Sequence, residues 1–301
     1  MTSENYSHLS PTPFLFFMTM LDQLMIQHMH VITLNSDELP SMYMLYPLLQ
    51  CWQDQGIRIT TGPVTRLDAD IGLLHINNTW IAPEVLPSNP KQHPIINGSV
   101  LDISKRRISR HILAENSNYN GPVIIKTNAN YFGKREFQKL PARSLKLLRQ
   151  KLGKYLPWQY MHELPPNSYP VLESISQVPE WIWRRDDLVV ECFQPEIENG
   201  EYVLRMWMFL GDRHYGAKLY SNEPIVKVDN INRYEYLESV PDKLQRIRRE
   251  LRMDYGKLDY VMINGEPVLL DANTTPTIST RKPSARLLGL AAGLSAFDRA
   301  A

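Results

Sequence analysis

The spacing of apolar residues along this chain changes several times, and each change marks a predicted element. Met29-His30-Val31-Ile32-Thr33-Leu34 has strand composition and is closed by the polar Asn35-Ser36-Asp37. Over Ser41–Gln55 the apolar positions Met44, Leu45, Leu48, Leu49 and Trp52 recur at helical spacing. Gly56 follows where a helix C-cap favours a residue free to take positive φ. Ile57-Arg58-Ile59 then begins another strand, so this stretch predicts a βαβ unit. Ile71–Ile76 is a third apolar run, Thr79–Ala82 a fourth, and Asn97-Gly98 signals a turn. Asp102 and Ser104 stand ready to cap a helix over Ser104–Ala114 that carries Lys105, Arg106, Arg107 and Arg110; the plain reading of that charge run is a solvated face.

Gly121-Pro122 breaks the chain before Val123-Ile124-Ile125-Lys126, a short buried strand with a lysine at its end. Asn128–Arg135 is a polar loop with one glycine, Gly133. Residues 136–187 are rich in Lys, Arg, Pro and Trp and carry little periodicity beyond a helix over Leu145–Leu156. Leu188–Phe193 reads as a strand; Tyr202–Leu210 and Tyr215–Tyr220, joined at Gly211-Asp212, read as a hairpin. Pro241–Arg252 is a basic amphipathic helix. Lys257–Ile263 and Pro267–Asp271 flank Asn264-Gly265, a strong type I′ turn signal. There is no internal repeat.

Composition narrows the class without naming it. The chain has 301 residues, 43% hydrophobic and 22% charged, which is globular. Its 33 Lys and Arg against 32 Asp and Glu give a net charge of +1, which argues against a dedicated nucleic-acid binder. Two cysteines, Cys51 and Cys192, make neither a disulfide framework nor a Cys-rich zinc site. The most apolar stretches, Phe14–Leu21 and Leu287–Leu294, are far shorter than the roughly 20 residues a bilayer needs. Residues 1–28 lack the Lys or Arg flank of a secretory signal, so the expectation is a cytoplasmic protein without a membrane partner. P-loop, dinucleotide, nucleophile-elbow and H-E-x-x-H motifs are all absent from the sequence.

One cluster suggests chemistry. Asp271 and Asn273 lie two apart after the apolar Val268-Leu269-Leu270, so a continuing strand puts both side chains on one face. The Asn-Gly turn folds Asp259 back to the same end. Two carboxylates and an amide oxygen form the hard-oxygen set that magnesium takes alongside water and phosphate. The plainer reading is that Asp271 and Asn273 only open the turn before Pro276.

The wider set of motifs resembles the ATP-grasp superfamily. Val123-Ile124-Ile125-Lys126, then Val189-Val190-Glu191-Cys192-Phe193, then Arg205 with Lys218 across a hairpin, then Asp259, Asp271 and Asn273 occur in the family's order. Asp271-Ala272-Asn273-Thr274-Thr275-Pro276 is similar to its E-x-N-x-x-P ending, and Asp102-Ile103-Ser104-Lys105 to its step into the grasp domain. The resemblance implies an α/β (α+β) ATP-grasp fold over about residues 29–280. A Rossmann-like domain over 29–104 follows an N-terminal extension, 1–28. A two-lobed ATP-grasp domain over 105–301 comes next, its small lobe near 105–195 and its large lobe near 196–290.

It also implies site roles. Lys105 and Lys126 contact nucleotide phosphate, Glu191, Cys192 and Phe193 read the base, and Glu198 or Glu201 holds the ribose. Asp259, Asp271 and Asn273 bind magnesium, two ions in the family pattern with manganese as a substitute, and Arg205 and Lys218 face the transferring phosphoryl group. The bland alternatives are a snorkelling Lys126, an exposed Glu191 and a surface Arg205–Lys218 pair. The implied activity joins a carboxylate to an amine through an acyl phosphate, on small-molecule or peptide substrates, in a chain able to form a homodimer. Two departures, the single Gly133 in the phosphate loop and Asp271 in place of the commoner glutamate, motivate a second reading, a nucleotide-binding scaffold without turnover; a third is a kinase on the same fold with a hydroxyl acceptor.

Overall fold

The computed structural model describes residues 25–35, 39–130, 157–165, 167–278 and 284–298. Nearly all of the expected N-terminal extension, the Gly133 loop beyond residue 130 and the helix expected over 145–156 lie outside them. Three sheets organise the described residues.

The first sheet is parallel, in the order β2-β1-β3-β4, and comprises β1 (His28–Ile32), β2 (Arg58–Gly62), β3 (Ile71–Leu74) and β4 (Ile95–Ile96). Helix α1 (Leu45–Asp54) links β1 to β2 and buries Leu45, Leu48, Leu49 and Trp52, as its apolar spacing predicts. It starts later than expected because the residues before it bridge elsewhere: Tyr43 pairs with Thr277, and the Met44 amide donates to the Pro276 carbonyl. Gly56 ends the helix at φ +87. Among the described connections of this sheet, α1 is the α-helical crossover.

The fourth strand is a correction. Thr79–Ala82 is not in the sheet; Trp80 makes an isolated bridge to Asp102 and the Ile81 amide donates to Leu101, while Ile95–Ile96 takes the place beside β3. Pro83, which lacks an amide hydrogen, closes off any longer ladder there. The helix expected over Ser104–Ala114 is a second correction. Helix α2 covers only Lys105–Ile108. The chain then runs along β7 (Leu188–Cys192), where the Leu113 amide donates to Val190 and the Cys192 amide to His111. Packing of Leu113 against the core of that sheet outweighs helix propensity.

The second sheet has β5 (Val123–Thr127) between β6 (Val171–Leu172) and β7, all antiparallel. Its core is Val123, Ile125, Leu188 and Val190, with Ile182 from the short helix α3 (Glu180–Trp183). The third and largest sheet runs β11-β10-β9-β12-β13, with β8 (Glu196–Glu198) paired to β9 (Glu201–Leu210). It includes β10 (Arg213–Ser221), β11 (Ile231–Leu237), β12 (Tyr255–Ile263) and β13 (Glu266–Asn273), and helix α4 (Asp242–Leu251) covers it through Leu244 and Ile247.

The C-terminal segment joins the first sheet to the last. Helix α5 (Ala285–Gly289) and the 3₁₀ turn Leu290–Phe297 place Leu287, Leu290, Ala291 and Leu294 in one core with Met29, Val31, Leu45, Trp52 and Tyr255. The Trp52 indole donates to the Ala291 carbonyl at 2.9 Å. A Cβ at Gly293 would lie 2.0 Å from the Leu210 carbonyl oxygen, so only glycine fits this approach. No helix among the described residues is long and apolar enough to cross a membrane.

Candidate active site

The site begins at the β12–β13 hairpin. Asn264 (φ 51) and Gly265 (φ 80) form the tight turn that the Asn-Gly pair predicts, and the register sets Asp259 directly across from Asp271. Gly256, at φ +151, lets the strands close at the far end; a Cβ there would stand 2.5 Å from the Asn273 carbonyl oxygen. Asn273 lies opposite Lys257 in the register, and its side-chain oxygen accepts from the Thr275 amide at 2.8 Å.

Each carboxylate holds a lysine. Lys257, two residues before Asp259 and so on the same face, sits 2.7 Å from Asp259 Oδ2. Asp259 Oδ1 is buried and has no hydrogen-bond partner. Lys105 reaches over from α2 and lies 2.5 Å from Asp271 Oδ1, the oxygen that also accepts from the Ala272 amide. The Lys105 ammonium donates as well to Asn130 Oδ1 at 2.8 Å. Burial raises the Asp259 pKa, and the Asp271 charge adds to the rise against the pull of Lys257. Burial works against both ammonium groups, yet Asp271 for Lys105 and Asp259 for Lys257 leave their pKa values above the ordinary one. Among the described residues no three His, Cys, Asp or Glu side chains gather as a metal-ligand cluster; the carboxylates that meet here are two, Asp259 and Asp271.

Across a cavity of about 200 Å³ lies the second sheet. Lys126 on β5, itself half-buried, donates to Glu191 Oε2 on β7 at 2.6 Å, and the Glu191 side chain is buried. Lys105, Lys126, Asp259 and Asp271 line the polar part of this cavity; Cys192, Phe193, Leu204, Val261 and Leu270 supply apolar walls. The Cys192 and Phe193 amides are bonded to the His111 and Pro122 carbonyls. Burial pushes the Cys192 thiol pKa up, and likewise that of Cys51.

The structure therefore brings Lys105, Lys126, Cys192, Phe193, Asp259 and Asp271 together and leaves other expected residues outside the cavity lining. Glu191 faces Lys126. Arg205 and Lys218 are cross-strand neighbours, but Arg205 is gripped by both oxygens of Glu196 and Lys218 by both of Glu198. The hydrogen bond from Lys218 lowers the Glu198 pKa. Glu201 pairs with Arg233 at 2.7 Å. Lys257 escaped the sequence reading, although its place two residues before Asp259 was a visible signal. A larger cavity of about 540 Å³ lies away from this site, against α4, where Arg248 is committed to the carbonyls of Gly211, Met253 and Asp254.

No family model matches the sequence, and no curated protein matches it. Solved structures do. The ATP-grasp ligase PsnB, complexed with a minimal precursor, Mg and ADP, is 11% identical over 92% of this chain and 99% of its own, with a TM-score of 0.50. A RimK-domain ATP-grasp protein from Sphaerobacter thermophilus is 13% identical over 90% of this chain and 99% of its own, with a TM-score of 0.48. The D-alanine–D-alanine ligase of Bacillus anthracis is 12% identical over 90% of this chain and 92% of its own, at 0.42. At such identities the likeness concerns architecture rather than substrate. The match to PsnB spans nearly all of both chains and carries the fold assignment: this chain has the ATP-grasp fold.

Proposed function

We propose that this chain is an ATP-dependent ligase that activates a substrate carboxylate as an acyl phosphate for attack by an amine, on small-molecule or peptide substrates. The observation that carries this reading is one cavity with Lys105, Lys126, Asp259 and Asp271 at one part and Cys192, Phe193, Leu204 and Leu270 along its walls. Apolar walls suit a purine, and the charged part suits a polyphosphate with its divalent cation.

In this assignment Cys192 and Phe193 border the base, while Lys126 and Lys105 neutralise phosphate oxygens. Asp259, Asp271 and Asn273 are the side chains to hold magnesium, and the partnerless buried Asp259 Oδ1 fits that role. Magnesium, when bound, offsets the charge that builds on the transferring phosphoryl group. A carboxylate oxygen of the substrate attacks the γ-phosphorus, and the bond to the ADP oxygen breaks. The amine nitrogen then attacks the acyl carbon, loses a proton, and phosphate leaves. Positioning and charge neutralisation are the chain's contribution, and no side-chain nucleophile is needed. The raised thiol pKa values of Cys51 and Cys192 accord with that. Arg205 and Lys218 belong to the phosphoryl-transfer step only if the substrate draws them from Glu196 and Glu198, and Glu201 serves the ribose only if it leaves Arg233. The parallel first unit, which opens with a nucleotide-fold-like βαβ, is assigned the selection of substrate.

The test is ADP release measured against mixed carboxylates and amines with magnesium present. Release that requires both co-substrates supports the ligase. A stable phosphorylated product would replace it with a kinase, and ATP binding without turnover with a scaffold.

A further inference from the structure

The two carboxylates proposed to hold metal are each already paired with an ammonium group. Asp271 has Lys105 at 2.5 Å and Asp259 has Lys257 at 2.7 Å. Two negative and two positive charges make this end of the cavity neutral, and two carboxylates without their lysines would attract a divalent cation far more strongly. The lysines also differ in what holds them. Lys257 comes from the same strand as its partner, its one ion pair among the described residues, whereas Lys105 is buried, comes from α2 and is also held by Asn130. Removing a buried ammonium from its carboxylate without providing another anion is strongly unfavourable. A bare divalent cation provides none; a nucleotide phosphate does.

We infer that Lys105 and Lys257 are resident counter-cations that keep divalent metal out of the site until nucleotide arrives, with Lys105 exchanging Asp271 for a phosphate oxygen as the metal enters. The inference rests on the nucleotide reading above and adds an order to it. Metal and nucleotide bind as a coupled pair, and by linkage each raises the affinity for the other by the same factor. Lys105 therefore has two anionic partners in turn, and Lys257 tempers the charge of Asp259 throughout.

The experiment is Mn²⁺ binding to the full chain by electron paramagnetic resonance, without and with ADP, beside ADP binding by calorimetry without metal. The wild-type chain is expected to bind Mn²⁺ about ten-fold or more weakly without ADP than with it. Lys105→Met and Lys257→Met should each tighten Mn²⁺ binding in the absence of ADP, and Lys105→Met should also weaken ADP binding. Thermal melts verify that both variants fold, and either one suffices for the metal measurement. Equal Mn²⁺ affinity with and without ADP in a wild-type chain that binds ADP overturns the inference and leaves the nucleotide reading standing. Unchanged Mn²⁺ affinity in the folded variants overturns it too. Failure to bind ADP under any condition overturns the nucleotide reading itself, and the inference with it.

Discussion

The second and third sheets each hold a carboxylate paired with a lysine beside the same cavity, and the pairs are built differently. Lys126 and Glu191 come from adjacent strands of one sheet, where the register sets Lys126 opposite Val189 and Glu191 opposite Ile124. Their pairing is a diagonal contact on one sheet face, complete within a single structural layer. Asp271 of the third sheet instead receives Lys105, which lies 166 residues earlier in the chain, on a one-turn helix outside that sheet. The first pair belongs to one layer; the second reports how two parts of the molecule are set against each other. A ligand able to part the second pair acts on that arrangement, while the first keeps its geometry.

The largest expected effect tests the site at its far end. Asp271→Ala should lower Mg²⁺-dependent nucleotide turnover by about a thousand-fold, roughly 4 kcal/mol of transition-state stabilisation, with the circular dichroism spectrum preserved. Full activity in that variant would remove Asp271 from the metal site. Next, Lys126→Ala strands the buried Glu191 carboxylate, which should reduce unfolding free energy in urea by about 3 kcal/mol and weaken ATP binding. The double change Lys126→Met with Glu191→Leu should restore most of the stability and none of the affinity. If it restores both, the pair is structural and the phosphate role of Lys126 is wrong.

The parallel sheet offers a contrast, a buried group kept neutral instead of paired. His75, against the edge of the Tyr43 ring with Nε2 unpartnered, has its pKa pushed down by burial to about 3 from an ordinary 6.5. The unfolded chain takes up a proton there first, so stability is full above pH 6.5 and falls as the pH drops towards 3. Between pH 7 and 5 the loss from this residue is about 2 kcal/mol, and denaturant titrations of His75→Phe should lack it. Smallest of all, the exposed pair of Glu180 on α3 with its C-cap residue Arg184 should contribute under about 0.5 kcal/mol, so Arg184→Ala should barely move the urea midpoint.

What the sequence made legible follows from how local each signal was. The β12–β13 hairpin was readable because Asn264-Gly265 fixes the turn, but the turn register alone points Asp259 at Leu270, and it is the register shift between Asp259 and Tyr260 that sets Asp259 against Asp271. Strands β5 and β7 were readable as apolar runs because both are buried. Strand β11 went unpredicted: its middle residues, from Asn232 to Tyr236, are exposed, so no alternation marks it. The false helix after Ile108 followed from the capping residues Asp102 and Ser104, while the true path depends on β7, far along the chain. Lys105 and Asp271 each stand in a motif, but their pairing is illegible in the sequence because nothing local links them. Lys257 was different: strand periodicity alone would have placed it beside Asp259.

The seat of Leu287–Leu294 beside Met29, Val31 and Trp52 bears on how the molecule is made. A unit that leaves the ribosome before its neighbours would ordinarily settle while they are still being synthesised. Here the interior of the parallel unit lacks a wall until Leu287–Leu294, made well after it, arrives, so that unit should acquire protection from hydrogen exchange late, after the sheets that follow it in the chain.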